Sequence, residues 1–218
     1  MKPEQIKYYS QNMERIAHKD RLFLNNPVIM QGLGLAPLIV AATSMKSSII
    51  LSVTVLLLLT STRVAAAVLS QFSYFRFRGF TYSLTAAIMY IGVFAIINLI
   101  YPAADIANIG LYLPMLVVDP IIIKRYERPQ KERVSTAFRK GILTTFGYIM
   151  IIMLMGVLRE ILGSGTIYNI PVGNFPVLPL AKLPAGGFIL LALIIAIWRS
   201  CVNSFKKKIN MEAKRIDA

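Results

Sequence analysis

Three places in the sequence combine residue types and spacings that could handle charge inside an apolar environment. The first is Gln31-Gly32-Leu33-Gly34-Leu35-Ala36-Pro37, in the middle of a charge-free run from Leu22 to Met45. Gly32, Gly34 and Pro37 disfavour an uninterrupted helix there, because glycine loosens the backbone and proline removes a donor and clashes one turn back. In lipid a broken backbone is tolerated only where it packs against protein or lines a polar cavity, so a break marks a site. The second place is Gly110-Leu111-Tyr112-Leu113-Pro114, with Asp119-Pro120 beyond it. Asp119 supports two compatible readings: the N-cap of a half-helix from Pro120 to Tyr126, or an intramembrane carboxylate that binds a proton or a sodium ion. The third is Arg159-Glu160 at the outer end of an apolar run, either an interfacial anchor or a contact to a neighbouring loop or a partner subunit.

No Ser/His/Asp constellation, phosphate loop or zinc spacing appears, and the single histidine, His18, lies in a polar segment. A self-contained hydrolase or kinase is therefore not expected.

The elements that must position these residues are membrane spans. The chain has 218 residues, 56% of them hydrophobic and 16% charged, the profile of an all-α polytopic membrane protein. Residues 1–24 read as a cytoplasmic amphipathic segment, with Ile6, Tyr9, Met13 and Ile16 at roughly helical spacing, and no cleavable signal peptide is expected. Residues 25–205 hold six spans, and 206–218 form a basic cytoplasmic tail. Asn26 reads as N-cap and Pro27 as the first helical residue of span one, which reaches about Ser44. Span two covers Ser47 to Leu69, with Arg63 expected to snorkel toward an interface. Span three lies within Gly79 to Ala104, span four in Ile106 to Ile123, span five in Gly141 to Leu158 and span six in Leu183 to Trp198. The stretch from Ile161 to Lys182 is rich in glycine and proline and reads as a loop.

The charge pattern supports that count. The net charge of +14 invites nucleic acid as a partner, but the basic residues flank apolar runs, which membrane topology explains better. Of 24 Lys and Arg, six spans leave only Lys46, Arg159 and Lys182 on one side, so the positive-inside rule puts both termini in the cytoplasm. Three spans per half give inverted topology, and spans one and four, the first of each half, both carry a Gly/Pro interruption. Paired interruptions in an inverted repeat point to a functional centre near the bilayer midplane.

Four stretches carry a family resemblance: residues 25–38, residues 112–123, Leu158-Arg159-Glu160-Ile161-Leu162-Gly163-Ser164-Gly165-Thr166, and Leu183-Pro184-Ala185-Gly186-Gly187-Phe188-Ile189. They resemble the membrane-embedded E subunit of Rnf electron-transport complexes, in the family that includes the D subunit of the sodium-translocating NADH:quinone oxidoreductase. The resemblance implies six helices as two inverted three-helix repeats with helices one and four broken. It also implies a cysteine in each break, and an iron-sulfur cluster shared with an A-type sister subunit in the prokaryotic inner membrane. This chain departs at that point, with Ala36 and Pro120 where the resemblance puts cysteines, and its one cysteine, Cys201, at the end of span six. Thiolates are the usual ligands of such clusters. The expected protein is thus a non-catalytic subunit of an Rnf- or Nqr-like oxidoreductase complex that supports electron or ion movement and binds no cofactor alone. Flavin and iron-sulfur groups are expected on partner subunits. The alternative is a small-molecule or ion transporter on the same scaffold, with Gly32, Gly34, Pro37, Pro114 and Asp119 framing its site.

Overall fold

Residues 9, 12, 13, 16, 20–32, 34–118, 133–171 and 177–217 are described by the structure, a computed structural model. Among the described residues, four helices are long and apolar enough to cross a membrane: α2 (Met45–Leu69), α3 (Arg78–Ile100), α6 (Val134–Ser164) and α7 (Pro184–Asp217). In the described parts of the regions read as spans one and four, the helices are short pieces, as broken spans would be. The first holds α1 (Pro27–Gln31) and a π-helical turn (Pro37–Ala41), and the second holds α4 (Ala103–Ile109) and α5 (Tyr112–Met115). The interruptions fall where glycine and proline disfavour helix.

α2 and α6 form the central pair and α3 flanks α2. About half of the apolar windows of α2 and α6 is buried (56% and 50%), against 22% for both α3 and α7, so the outer helices turn most of their apolar surface outward. That is the expected arrangement where the solvent is lipid. The core runs through Val28 and Ile29 of α1, Leu38 and Ile39 of the π-turn, Ile50 to Leu59 of α2, Ile109 and Leu113 around the second break, and Ile151, Ile152 and Met155 of α6. The central helices approach closely because α6 carries glycine at the contact. A Cβ on Gly156 would overlap Ser48 and come within 3.0 Å of the Ser44 carbonyl oxygen. Small residues at such positions drive helix association where no hydrophobic effect is available.

Several boundaries differ from those read in the sequence. α6 does not end at Arg159-Glu160, because both charges are satisfied within the chain; it ends at Gly165, whose left-handed conformation (φ 69°, ψ 20°) closes the last turn. The following stretch is not simply a loop. It contains a two-stranded ribbon, β1 (Thr166–Ile167) with β2 (Ile170–Pro171), turned through Tyr168 and Asn169 at positive φ, and a 3₁₀ turn over Pro179–Lys182. Arg63 does not snorkel outward: it is 4% exposed, and its stem packs where α6 carries Gly141. The basic tail is a continuation of α7, which at 34 residues is roughly 50 Å long and exceeds the ~30 Å hydrocarbon core. Of the N-terminal amphipathic segment, Tyr9, Met13 and Ile16 are helical and Met13 is buried, while Ile6 lies outside the described residues.

One end of the bundle gathers the sparse charges. Lys46 Nζ pairs with Asp105 Oδ2 at 2.8 Å, tying the start of α2 to α4. Glu160 near the end of α6 accepts from Met45 N at 2.6 Å. Lys46, Arg159 and Lys182 therefore share this end, and Arg76 and Arg78 lie at the other end of α3.

The tight α2–α6 contact makes a stability prediction. Gly156→Ala should lower the unfolding midpoint in detergent, at a cost of about 1–3 kcal/mol for overpacking. The double variant with Ser48→Gly should recover much of that loss; strict additivity would mean the contact is not the cause.

Candidate functional site

The first interruption is built from a sequence of local devices. Asn26 caps α1 with its side-chain oxygen, accepting from Val28 N at 3.0 Å and Ile29 N at 3.3 Å. Its amide donates to the Gly147 carbonyl at 2.8 Å, so the same residue fastens the broken span to α6. Gly32 closes α1 with φ 70°, and Gly34 also takes a left-handed conformation, φ 65°. Pro37 then opens the π-turn, in which Ala42 N bonds the Pro37 oxygen five residues back at 3.1 Å. Thr43 N bonds the Ala41 oxygen at 2.8 Å, an inverse γ-turn on Ala42 (φ −78°, ψ 61°) that ends the segment.

A π-turn followed by a γ-turn leaves carbonyls with no amide above them. Arg159 supplies the donors. Its side chain is fully buried, and Nη1 donates to the oxygens of Ile39 (2.5 Å), Ala42 (3.2 Å) and Leu38 (3.5 Å). Nε donates to Ala181 at 2.8 Å, and Nη2 to Lys182 at 2.9 Å and Leu183 at 3.4 Å. One planar guanidinium thus bridges the end of the first broken span and the 3₁₀ turn before α7. A rigid fork of five N–H donors suits this; a lysine ammonium does not. Glu160 complements it. Oε2 accepts from Met45 N at the start of α2, where a carboxylate is favoured by the exposed amides, and Oε1 accepts from Thr166 Oγ1 (3.1 Å) and Asn169 N (2.9 Å). Both side chains are buried among the described residues, and the contacts described for them are to neighbouring segments of this chain.

The centre of the break is filled. Gly34 faces Tyr148, which stands near the middle of α6 and is 1% exposed; a Cβ on Gly34 would coincide with the tyrosine hydroxyl and ring edge. Glycine is therefore required there both by its positive φ and by this contact. Ala36, half-buried and in helical conformation, leads directly into the π-turn. Gly187 allows α7 against the same region: a Cβ there would lie 2.8 Å from the Ile39 oxygen and 3.2 Å from Arg159 Cζ. At the other end of the span Arg199 Nη2 donates to the Ile29 oxygen at 3.1 Å, and Trp198 Nε1 to the Phe23 oxygen at 3.0 Å.

The second interruption centres on Gly110, whose φ 55° and ψ −131° suit glycine. Pro114 lies in α5, which packs against the π-turn, so the two interruptions meet within the core. Of the residues singled out in the sequence, Gly32, Gly34, Ala36, Pro37 and Pro114 are brought into this neighbourhood. Asp119 and Pro120 lie outside the described residues. Sequence reasoning missed Tyr148, Arg199 and the packing role of Gly187. Tyr148 carried a weak signal as the lone polar-tipped aromatic between Gly141 and Leu158.

The residues present do not fit a cluster held by this chain. Ala36 offers only a methyl group, Cys201 is exposed in the α7 extension, and no group of three His, Cys, Asp or Glu gathers among the described residues. The space beside Gly34 is taken by Tyr148.

Comparison with known proteins adds an independent line. A family model described as "Rnf-Nqr subunit, membrane protein" matches residues 16–195. The chain is similar to the E subunit of an ion-translocating oxidoreductase complex of Shewanella oneidensis, 28% identical over 193 residues, covering 81% of this chain and 82% of that one. The corresponding protein of Haemophilus ducreyi is 29% identical over 195 residues, covering 82% and 85% of the two chains. The E subunit of a proton-translocating ferredoxin:NAD(+) oxidoreductase complex of Clostridium ljungdahlii is 26% identical over 197 residues, covering 89% and 92%.

Two expectations follow from the site. Arg159→Lys should strand at least two buried carbonyls, at ~1–3 kcal/mol each, and lower the thermal midpoint well beyond what Lys182→Gln does; equal midpoints would remove the guanidinium from its bridging role. After anaerobic purification, the isolated chain should show no iron-sulfur absorbance or paramagnetic signal, and stoichiometric iron and sulfide bound to it would refute the ligand assignment.

Proposed function

The chain belongs to the Rnf-Nqr family of membrane subunits, and on that premise we propose that it is an integral E-type subunit of an ion-translocating oxidoreductase complex. The observation that carries the reading is the extent of the family match, residues 16–195, which spans both interruptions and the Arg159-Glu160 pair. The names of the three relatives, all E subunits of such complexes, agree with it. In this reading the chain supports electron transfer, ion translocation or both, and supplies no cluster ligands of its own.

The finer arrangement is part of the proposal. Residues 25–205 form six spans as two inverted three-helix repeats, with 1–24 and 206–218 on the cytoplasmic side of a prokaryotic inner membrane. Lys46, Arg159 and Lys182 lie together at one end of the bundle, away from Arg76 and Arg78, and this basic-poor end read as the outer one supports that orientation, since basic residues concentrate on the cytoplasmic side. Partners would be membrane lipid, an A-type sister subunit, and subunits that carry flavin or iron-sulfur groups. In the mechanism this chain's residues hold geometry: Arg159 fixes the broken first span, Tyr148 fills its centre, and Asp119 is the candidate carboxylate for a proton or cation.

Recovery of the chain with its native partners, followed by cofactor analysis, tests the assignment. Flavin and iron-sulfur partners are the expected result; recovery as a lone transporter would defeat it. For Asp119 the test is ion or proton uptake by proteoliposomes carrying the assembled complex. Asp119→Asn should abolish uptake with assembly intact, and Asp119→Glu should partly restore it. Asparagine caps helices about as well as aspartate, so wild-type uptake by the Asn variant would leave Asp119 as a cap alone.

A further inference from the structure

The link between α2 and α3 is turned inside out relative to a loop built for water. It runs from Ser70 to Phe77 and ends in a 3₁₀ turn, Phe75–Phe77. Phe72 and Tyr74 are 85% and 83% exposed, and Phe77 and Phe80, at the start of α3, are 62% and 69% exposed. Polar groups go the other way. Ser70 is 4% exposed and donates to the Ala67 oxygen at 3.1 Å, and Arg78 is 8% exposed. Short-range bonds fix the shape: Phe72 N donates to the Leu69 oxygen (3.1 Å), Phe77 N to the Tyr74 oxygen (3.0 Å), and Ser73 Oγ lies 3.0 Å from Thr81 Oγ1. The four rings are therefore held outward on a structured turn. Folding in water would favour the opposite, since burying one such side chain is worth about 1.5–3 kcal/mol.

Span length indicates what surrounds the rings. α2 has 25 residues and α3 has 23, so they are roughly 37 and 35 Å long against a hydrocarbon core of ~30 Å. A link this short between two such spans must lie near the bilayer edge, in the headgroup zone that adds about 5–8 Å on each side. The rings also head an apolar stripe of α3: Phe80, Leu84, Ile88 and Ile91 follow one another at four- and three-residue spacing and are all exposed. Gln71 and Arg76 are exposed beside the rings. Aromatic and polar side chains exposed together suit the boundary between headgroups and acyl chains, where aromatic rings insert, and neither bulk water nor hydrocarbon alone.

We propose that the α2–α3 link is an interfacial lipid anchor, with Phe72, Tyr74, Phe77 and Phe80 inserted at the headgroup–acyl boundary and fixing the depth at which this pair of helices rides. The inference depends on the chain spanning a membrane and not on its role in an oxidoreductase complex, so the two can fail separately.

The test uses the full chain in phosphatidylcholine vesicles, with Phe77→Trp as the only tryptophan in a Trp198→Phe background and Phe72→Trp as an independent second probe. Each probe should emit to the blue of tryptophan in water. Lipid brominated near the glycerol end of its acyl chain should quench each probe more than lipid brominated near the methyl end, and Ile88→Trp, midway along α3, should give the reverse order. Replacing Phe72, Tyr74 and Phe80 by serine should move the Phe77→Trp emission toward that of water and weaken its quenching by lipid; an unchanged signal would overturn the anchoring role. Water-like emission from both probes, quenched by acrylamide and not by brominated lipid, would overturn the proposal outright. Cross-linking of Phe77→Cys, in a Cys201→Ser background, to another protein in native membranes would also overturn it, by making the link a subunit contact.

Discussion

A span that breaks inside a membrane leaves carbonyl oxygens without amides, and hydrocarbon offers them nothing in return. In this protein the donors come from Arg159, whose six bonds reach the π-turn after the first break and the turn before α7. Burying a guanidinium is itself costly, and the cost is offset only because its donors meet oxygens of partial negative charge on two segments at once. The break and the buried arginine are thus conditions of each other. Removing either leaves the other unsatisfied.

The rest of the bundle follows from holding that junction together. Gly187 lets α7 close over the guanidinium, and Gly156 lets α2 and α6 pack closely enough for Glu160, the residue after Arg159, to reach the first amide of α2. Asn26 and Arg199 serve the opposite end of the same broken span, so its two halves are each fastened to a continuous helix. Tyr148 fills the space between them against Gly34. The interrupted span is therefore held by the helices around it, in a shape that its own hydrogen bonds could not maintain.

The outer surface has a different logic. α3 and α7 leave most of their apolar windows exposed, which in water would be a liability and in lipid is the normal state.

Much of this architecture was legible in the sequence because the signals are local. Four long apolar runs, the positions of glycine and proline, and the Asn26-Pro27 start each reflect what a short segment can do by itself, and the structure has long helices and breaks at those places. Arg159 and Glu160 stood out as charges at the end of an apolar run, but the sequence placed them at an interface, because periodicity carries no information about which distant carbonyls lack donors. Their partners are 115 to 121 residues away for the first span and α2, and 22 to 24 residues away for the turn before α7. Arg63 was read as snorkelling for the same reason, since only the approach of α6 at Gly141 shows that it is covered. Tyr148 and Gly34, far apart in the chain, become one feature only once α6 lies against the break. The sequence determined which segments are helical and where they must fail; the tertiary structure decided which side chains repair the failure, because that depends on distances that composition and spacing do not contain.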